Sequence, residues 1–458
     1  MSLASLSPAF CAANGVIVTK TEGRSIFFGI CNINDTVLKT RIKKTFPDYQ
    51  CEFHLLTAEE FNLKLSQLFS EENVKEPVLT VNVVHDSRKS IIDKIADDAP
   101  VVNLLNSIFL EAISKQASDI HIESENNETT IRYRIDGLLS EARTISQERT
   151  LAISARLKIL ANLNVLENRR PQDGHIDVKT DTYSLDVRLS IVPTIWGESI
   201  VLRLLNRSDT VLSIDSLGFS SHNEKYLKDI LNTTSGLILV TGPTGSGKTT
   251  TLAAILKELN LKSTKIISIE DPVEYRIEGI TQIQVNDELG LTFDTLLRRI
   301  FRQDPDIIMI GEIRDIQTAE LAVRAALTGH LVFATLHTNN AIEAVYRLQN
   351  MGIPSYMTAA VLRFVIAQRL IRKLCPVCNA AGCLNCNQTG YSGRTVIAEI
   401  IPVTAELTDL IAEGLEIEKL RTYLKKQNYK RLFDDAKEKI AKGISTKAEI
   451  KRELGVLH

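Results

Sequence analysis

The chain has 458 residues, 44% hydrophobic and 24% charged, and its 54 basic and 56 acidic side chains leave a formal net charge of −2. That length exceeds what one hydrophobic core holds and predicts two to four domains, while the balanced charge gives no electrostatic reason to expect nucleic acid as the main ligand. No run of about 18 uninterrupted apolar residues occurs and the amino terminus lacks a basic start followed by an apolar core, so neither a membrane span nor a signal peptide is expected, and the predicted location is the cytoplasm.

Residues 1–70 carry two β-prone runs, GVIVTK and SIFFGI, and two helical patterns, DTVLKTRIKKTF and AEEFNLKLSQLF, which together predict a small α/β module. Cys11, Cys31 and Cys51 sit among apolar residues and are expected to be buried, reduced thiols. Residues 71–98 turn polar and charged and read as a linker with one short helix. From residue 99 to 206 the pattern VVNLLNSIFLEAISKQ leads into DIHIES, TTIRYRIDGLL, YSLDVRLSIVP and SIVLRLL, an α+β domain in which strands dominate after the first helix. Arg132 and Arg134 share one strand face, and Arg188 and Arg203 lie in two later strands. Such arginines are either solvated and paired with acids or aimed at phosphate.

The third unit, residues 207–458, alternates strand and helix from Gly236, the pattern of a parallel sheet covered on both faces. Its first strand, LILV, runs into Gly242-Pro243-Thr244-Gly245-Ser246-Gly247-Lys248-Thr249, followed by Thr250 and a helical stretch. This fits the phosphate-cradling template G-x-x-x-x-G-K-[ST]. Gly242, Gly245 and Gly247 let backbone N–H groups turn toward phosphate, Lys248 reaches the β- and γ-phosphates, and Thr249 holds Mg²⁺. Three further strands end in polar residues: KIISI in Glu270 and Asp271, DIIMI in Gly311 and Glu312, and LVFATL in His337. Ligands of open α/β sheets lie outside the carboxyl ends of the strands, so these groups should converge on the phosphates. Glu312 is the first choice for orienting or deprotonating water, with Glu274 of EDPVEY second. His330 and His337 stand at opposite ends of their strand, and both are considered for sensing the γ-phosphate or a neighbouring subunit.

Cys375-Pro-Val-Cys378 and Cys383-Leu-Asn-Cys386 form two C-x-x-C pairs four residues apart. Four thiolates suit a closed, tetrahedral structural zinc. An iron–sulfur cluster and a redox dithiol are the alternatives, neither with its usual spacing or placement.

The segments ASDIHIE, RYRIDG, RRPQDGH, GPTGSGKTTT, IEDPVEY, FRQDPDIIMIGEIRD, LTGHLVFATLHTN, IAQRL and the cysteine pairs followed by GYSGR occur in this order between Ala99 and Glu399. In sequence and order they resemble the ATPases of type II secretion and type IV pilus assembly. The resemblance implies a RecA-like P-loop domain preceded by a PAS-like α+β domain and a small amino-terminal docking module. It identifies Gly242 to Thr249 as similar to Walker A, Ile269 to Tyr275 to the Asp box, Ile307 to Glu312 to Walker B, and Thr328 to Thr338 to the His box. Arg188 and Arg203 resemble the arginines that reach nucleotide phosphates when the domains close. An ATP- and Mg²⁺-dependent homo-hexamer is implied, acting on an inner-membrane platform protein and held at the membrane by the cytoplasmic domain of another membrane protein, with no nucleic acid expected. The knuckle points to assembly rather than pilus retraction, and a conjugation-type nucleic-acid motor is the rival from another class. The chain departs from the family pattern in its four-residue loop between the cysteine pairs, where a longer one is usual. It also reads Thr395-Val396-Ile397-Ala398-Glu399 where Gly-Ile-Tyr/His-Glu is common.

Overall fold

The computed structural model describes residues 16–22, 24–30, 36–46, 49–57, 60–61, 99–126, 128–179, 184–206, 211–414 and 417–455. Cys11, Cys31, the linker expected over 71–98 and most of the helix expected over 58–69 lie outside them. The chain divides into two compact units, Met1–Val78 and Leu79–His458. In the first, β1 (Val16–Glu22) pairs antiparallel with β2 (Ser25–Ile30), and α1 (Thr36–Thr45) returns the chain so that β3 (Gln50–Leu55) pairs parallel with β2. Val16, Ile26, Phe28, Ile30, Leu38 and Ile42 make its core. QCEFHL escaped the sequence reading because most of it is exposed. For the same reason Cys51 is only half-buried, which corrects the expectation of a buried thiol.

The second unit opens with α2 (Ala99–Ser114), then β4 (Asp119–Glu125), β5 (Glu128–Ile135), β6 (Leu138–Ser146), α3 (Gln147–Leu160), β7 (Gln172–Lys179), β8 (Ser184–Thr194) and β9 (Gly197–Asn206). The strands form one antiparallel sheet in the order β6-β5-β4-β9-β8-β7. Alternate residues of β4 and β5, among them Ile120, Ile122, Ile131 and Tyr133, are buried with residues of α2 and α3. The opposite parity therefore carries Arg132 and Arg134.

The remaining elements are α4 (Ser221–Leu231), β10 (Gly236–Thr241), α5 (Lys248–Leu259), β11 (Ile266–Glu270), β12 (Thr281–Gln284), α6 (Phe293–Ile300), β13 (Ile307–Ile310), α7 (Ile316–Leu327), β14 (Leu331–Leu336), α8 (Ala341–Asn350), α9 (Ser355–Val361), β15 (Leu362–Leu374), β16 (Tyr391–Pro402), α10 (Ala405–Ala412), α11 (Ile417–Lys426), α12 (Leu432–Ala441) and α13 (Lys447–Leu454). The sheet order is β12-β11-β13-β14-β10-β15-β16. Period-two alternation divides each inner strand between two cores: Leu237, Leu239, Ile308, Ile310, Val332 and Ala334 belong to one, and Ile238, Val240, Ile307, Met309, Leu331 and Phe333 to the other. That is why these strands read as continuous apolar runs.

The expected parallel sheet is present over β12, β11, β13, β14, β10 and β15, and one antiparallel strand is added at its edge. β16 pairs antiparallel with β15, so one edge of the sheet is a long hairpin with the cysteine pairs at its turn. No helix among the described residues is long and apolar enough to cross a membrane.

Candidate nucleotide site and metal knuckle

Strand β10 is buried along its whole length and delivers the phosphate loop to the start of α5. Two glycines of the loop are required for different reasons. Gly245 has φ +78° over open space, whereas a Cβ on Gly242 would come within 2.6 Å of the Gln368 carbonyl and 2.5 Å of Ser246 Oγ. Pro243, Thr244 and Gly245 are exposed, Gly247, Thr249 and Thr250 half-buried, and Ser246 and Lys248 buried. Gln368 Nε2 donates to the Ser246 carbonyl at 2.8 Å, so β15 forms the floor of the loop.

Lys248 Nζ donates to the loop's own carbonyls of Gly242 (2.8 Å) and Pro243 (3.0 Å). Burial pulls its ammonium down to about 8, against the opposing pull of Glu312. The loop is thus folded over its cation, and an incoming phosphate would replace two carbonyl oxygens with charged ones.

The predicted acids gather at neighbouring strand ends. Glu312 follows β13, accepts from His337 Nε2 at 3.0 Å at the end of β14, and is ion-paired to Arg314. Arg314 also reaches Asp271 at 3.3 Å, tying the end of β13 to that of β11. Glu270 is buried and accepts from Ser268 (2.6 Å) and Gln282 (3.0 Å), and burial pushes its carboxyl above the usual range. Tyr275 hydroxyl lies 3.1 Å from Thr250 Oγ1, linking the Asp box to the first turn of α5. His330 is at the other end of β14, where its carbonyl accepts from Gly236 N–H and its ring meets the Ala325 carbonyl and Thr328. It is not brought to the phosphate loop.

Across from the Asp box stands the antiparallel sheet. Arg188 and Arg203 are direct cross-strand partners in β8 and β9 and therefore share a face. They line a cavity of about 810 Å³ together with His175, Asp271, Glu274 and Tyr275. Arg203 Nε donates to the buried Asp119 at 3.1 Å, while 58% of its side chain stays exposed. Arg132 is paired with Glu123, and Arg134 with Asp119 at 3.8 Å. Of the two later arginines Arg203 is acid-paired, and both border the cleft.

At the β15–β16 turn all four cysteine sulfurs lie within 4.8 Å of one another. Sγ separations of 3.8 Å (Cys375–Cys383), 3.7 Å (Cys378–Cys386) and 3.7 Å (Cys383–Cys386) match the edge of a tetrahedron with ≈ 2.3 Å metal–sulfur bonds, about 3.8 Å. Asn379, Ala380 and Gly382 take positive φ within the four-residue loop between the pairs, which lets it close, and Asn387 and Gln388 do so just after Cys386. Backbone N–H groups of Cys383 (3.3 Å) and Gly390 (3.2 Å) donate to Cys386 Sγ and favour its thiolate. The donor set and geometry fit zinc. The adjoining start of β16 is held by Asp136, which accepts from Gly393 N–H at 2.9 Å and pairs with Arg394 at 3.4 Å.

Arg314, Gln368, Arg369 and Gln282 join the site without having been singled out from the sequence. Arg314 follows Glu312 by two residues and could have been found from that spacing. Gln368 and Arg369 lie in the quoted IAQRL segment but meet Ser246 and Asn339, 122 and 30 residues away, and Gln282, though only 12 residues from Glu270, sits in a short half-exposed strand that gives no pattern.

The family model described as Type II/IV secretion system protein matches residues 94–452. The chain is 39% identical over 433 residues to the type II secretion system ATPase E of Vibrio cholerae, covering 87% of this chain and 86% of that one. It is 42% identical over 357 residues to the type IV pilus assembly ATPase PilB of Myxococcus xanthus, covering 72% and 63%. Among solved structures, the pilus retraction motor PilT with bound ADP superposes with a TM-score of 0.56 at 28% identity, covering 76% of this chain and 95% of PilT. The Legionella pneumophila ATPase DotB superposes at 0.61 with 22% identity, a likeness of fold covering 76% and 95%. With a glycine-rich loop at the head of a RecA-like sheet, acids at the neighbouring strand ends and a family match over most of its length, the chain belongs to the type II/IV secretion system proteins.

Proposed function

We infer that this protein is a Mg²⁺-dependent ATP hydrolase that drives assembly of a type IV pilus or of a type II secretion pseudopilus at the bacterial inner membrane. The observation that carries the reading is the crevice itself. Lys248, Glu312, His337 and the Asp box occupy neighbouring carboxyl ends of one sheet, and Arg188 and Arg203 border the facing cavity. Residues Gly242 to Thr250 cradle the phosphates, Lys248 neutralises the β- and γ-phosphates, and the Thr249 hydroxyl holds Mg²⁺, which adds charge neutralisation when bound. Glu312 orients the attacking water, with Glu274 the second choice, and His337 steers Glu312. Asp271 and Glu270 shape the second acidic wall. Arg188 and Arg203 reach the phosphates when the cleft narrows. Cys375, Cys378, Cys383 and Cys386 hold structural zinc.

The reading extends to a homo-hexamer in the cytoplasm, peripheral to the inner membrane, whose partners are a platform protein and the cytoplasmic domain of a pilus or secretion membrane protein. The amino-terminal module (1–70) docks, the linker (71–98) tethers, and the domains 99–206 and 207–458 close on nucleotide. Phosphate release by the purified chain, set beside Lys248→Ala and Glu312→Gln, tests the assignment, and turnover unchanged in both variants sinks it. The cysteine tetrahedron favours assembly over retraction, and fresh protein without stoichiometric zinc counts against that choice. Hydrolysis stimulated by DNA with a steep salt dependence would favour the nucleic-acid motor instead.

A further inference from the structure

Glu399 ends the TVIAE run that departs from its family's usual pattern, and the chemistry above does not use it. It lies in β16, 4% exposed, and its two oxygens serve two different helices: Oε1 accepts from Ala341 N–H at 2.7 Å and Oε2 from Leu432 N–H at 3.1 Å. Those donors open α8 and α12, where unpaired N–H groups and the helix dipole both favour a negative charge. Arg369, also buried, faces the same loop from β15. Its guanidinium donates to the Asn339 carbonyl at 2.9 Å and to Asn339 Oδ1 at 3.2 Å, and its charge counteracts the upward push of burial on Glu399.

The segment between His337 and Ala341 is therefore gripped from three strands. Thr241 at the end of β10 receives Thr338 N–H at 3.0 Å, Arg369 holds Asn339, and Glu399 holds Ala341. The side chain leaving this gripped segment for the crevice is His337, which meets Glu312 at 3.0 Å. A carboxylate can accept from both helix starts at once, whereas an amide offers one acceptor oxygen and would set its NH₂ against the other N–H.

We propose that Glu399 is a positioning residue for ATP hydrolysis, holding the start of α8 so that His337 stays in register with Glu312. This rests on the proposed role of the Glu312–His337 pair. The test compares the full-length protein with Glu399→Gln, His337→Ala and the double variant, reading kcat, KM, affinity for a fluorescent ADP analogue, and hydrogen–deuterium exchange. Glu399→Gln should lower kcat about tenfold or more, leave nucleotide affinity within about twofold, and speed exchange over residues 337–341 but not over the phosphate loop. The double variant should be no slower than His337→Ala, as expected of two residues acting in one unit. Multiplied losses in the double variant, or unchanged exchange over 337–341, overturn the inference. Full activity of His337→Ala refutes the underlying reading of the pair, and the inference with it, whatever the exchange shows. Arg369→Lys keeps the charge but not the double grip on Asn339, and should speed the same exchange if Glu399→Gln does not fold. Unchanged exchange in Arg369→Lys would then overturn the inference.

Discussion

The sheet that carries the phosphate loop and the sheet that carries the arginines are built on opposite principles. The ATPase wall grows from parallel strands buried on both faces, and each functional group there is held by another: Lys248 by carbonyls, Glu312 by His337 and Arg314, and Glu270 by Ser268 and Gln282. The arginine wall grows from the outer face of an antiparallel sheet, where Arg203 is tied by its Nε to Asp119 and remains largely exposed. A preorganised wall suits chemistry, because its dipoles need no rearrangement when charge develops. On the proposed reading a wall of half-solvated cations suits sensing, engaging when the gap narrows.

The largest difference between the two walls is expected at Glu312. Glu312→Gln should lower kcat by about 10²–10⁴ while nucleotide still binds, and a smaller loss than that from either arginine would reverse the assignment of the two walls. Lys248→Ala should cost about 10²–10³ in kcat/KM and also weaken binding of a fluorescent ADP analogue. Arg188→Ala and Arg203→Ala should each lower kcat roughly ten- to hundredfold, the weight of one charge-assisted hydrogen bond, with ADP-analogue affinity near wild type. Arg203→Lys should rescue little, because the planar guanidinium fork is lost.

The pH dependence sharpens the contrast. Burial holds Lys248 at about 8 in the free protein, below its unfolded value, whereas a bound polyphosphate requires the ammonium. Affinity should therefore be flat below pH 8 and fall by up to about tenfold per unit above it, with net proton uptake on binding. Calorimetry in buffers of different ionisation enthalpy measures that uptake, and Lys248→Ala should abolish it. Smallest in its effect on turnover is Cys378→Ser, which should lose zinc and lower the thermal midpoint by several degrees, ~1–2 kcal/mol in a module of this size. Turnover at low temperature should be close to wild type.

The strands LILV, KIISI, DIIMI and LVFATL were legible because burial on both faces leaves an unbroken apolar signature, and their polar ends pointed to the crevice. The cysteine pairs were legible from spacing alone. β15 was not, since QRLIRK reads as a charged surface until Gln368 is seen under Ser246 and Arg369 under Asn339. β12 is a half-exposed edge strand of four residues, too short for periodicity to register. The tie between Arg203 and Asp119 spans 84 residues and follows from β4 and β9 lying side by side, a fact of topology rather than of local pattern.

The floor that Gln368 provides under the phosphate loop also sets an order of events during synthesis. A nascent chain carries its whole glycine-rich motif by Thr249, yet the strand that supports it begins only at Leu362 and must pair alongside β10. Until that stretch has left the ribosome, the loop lacks one flank. A chain truncated before Leu362 should keep the motif and lose tight nucleotide binding, so nucleotide marks a finished domain during its own biogenesis rather than helping an early fragment to fold.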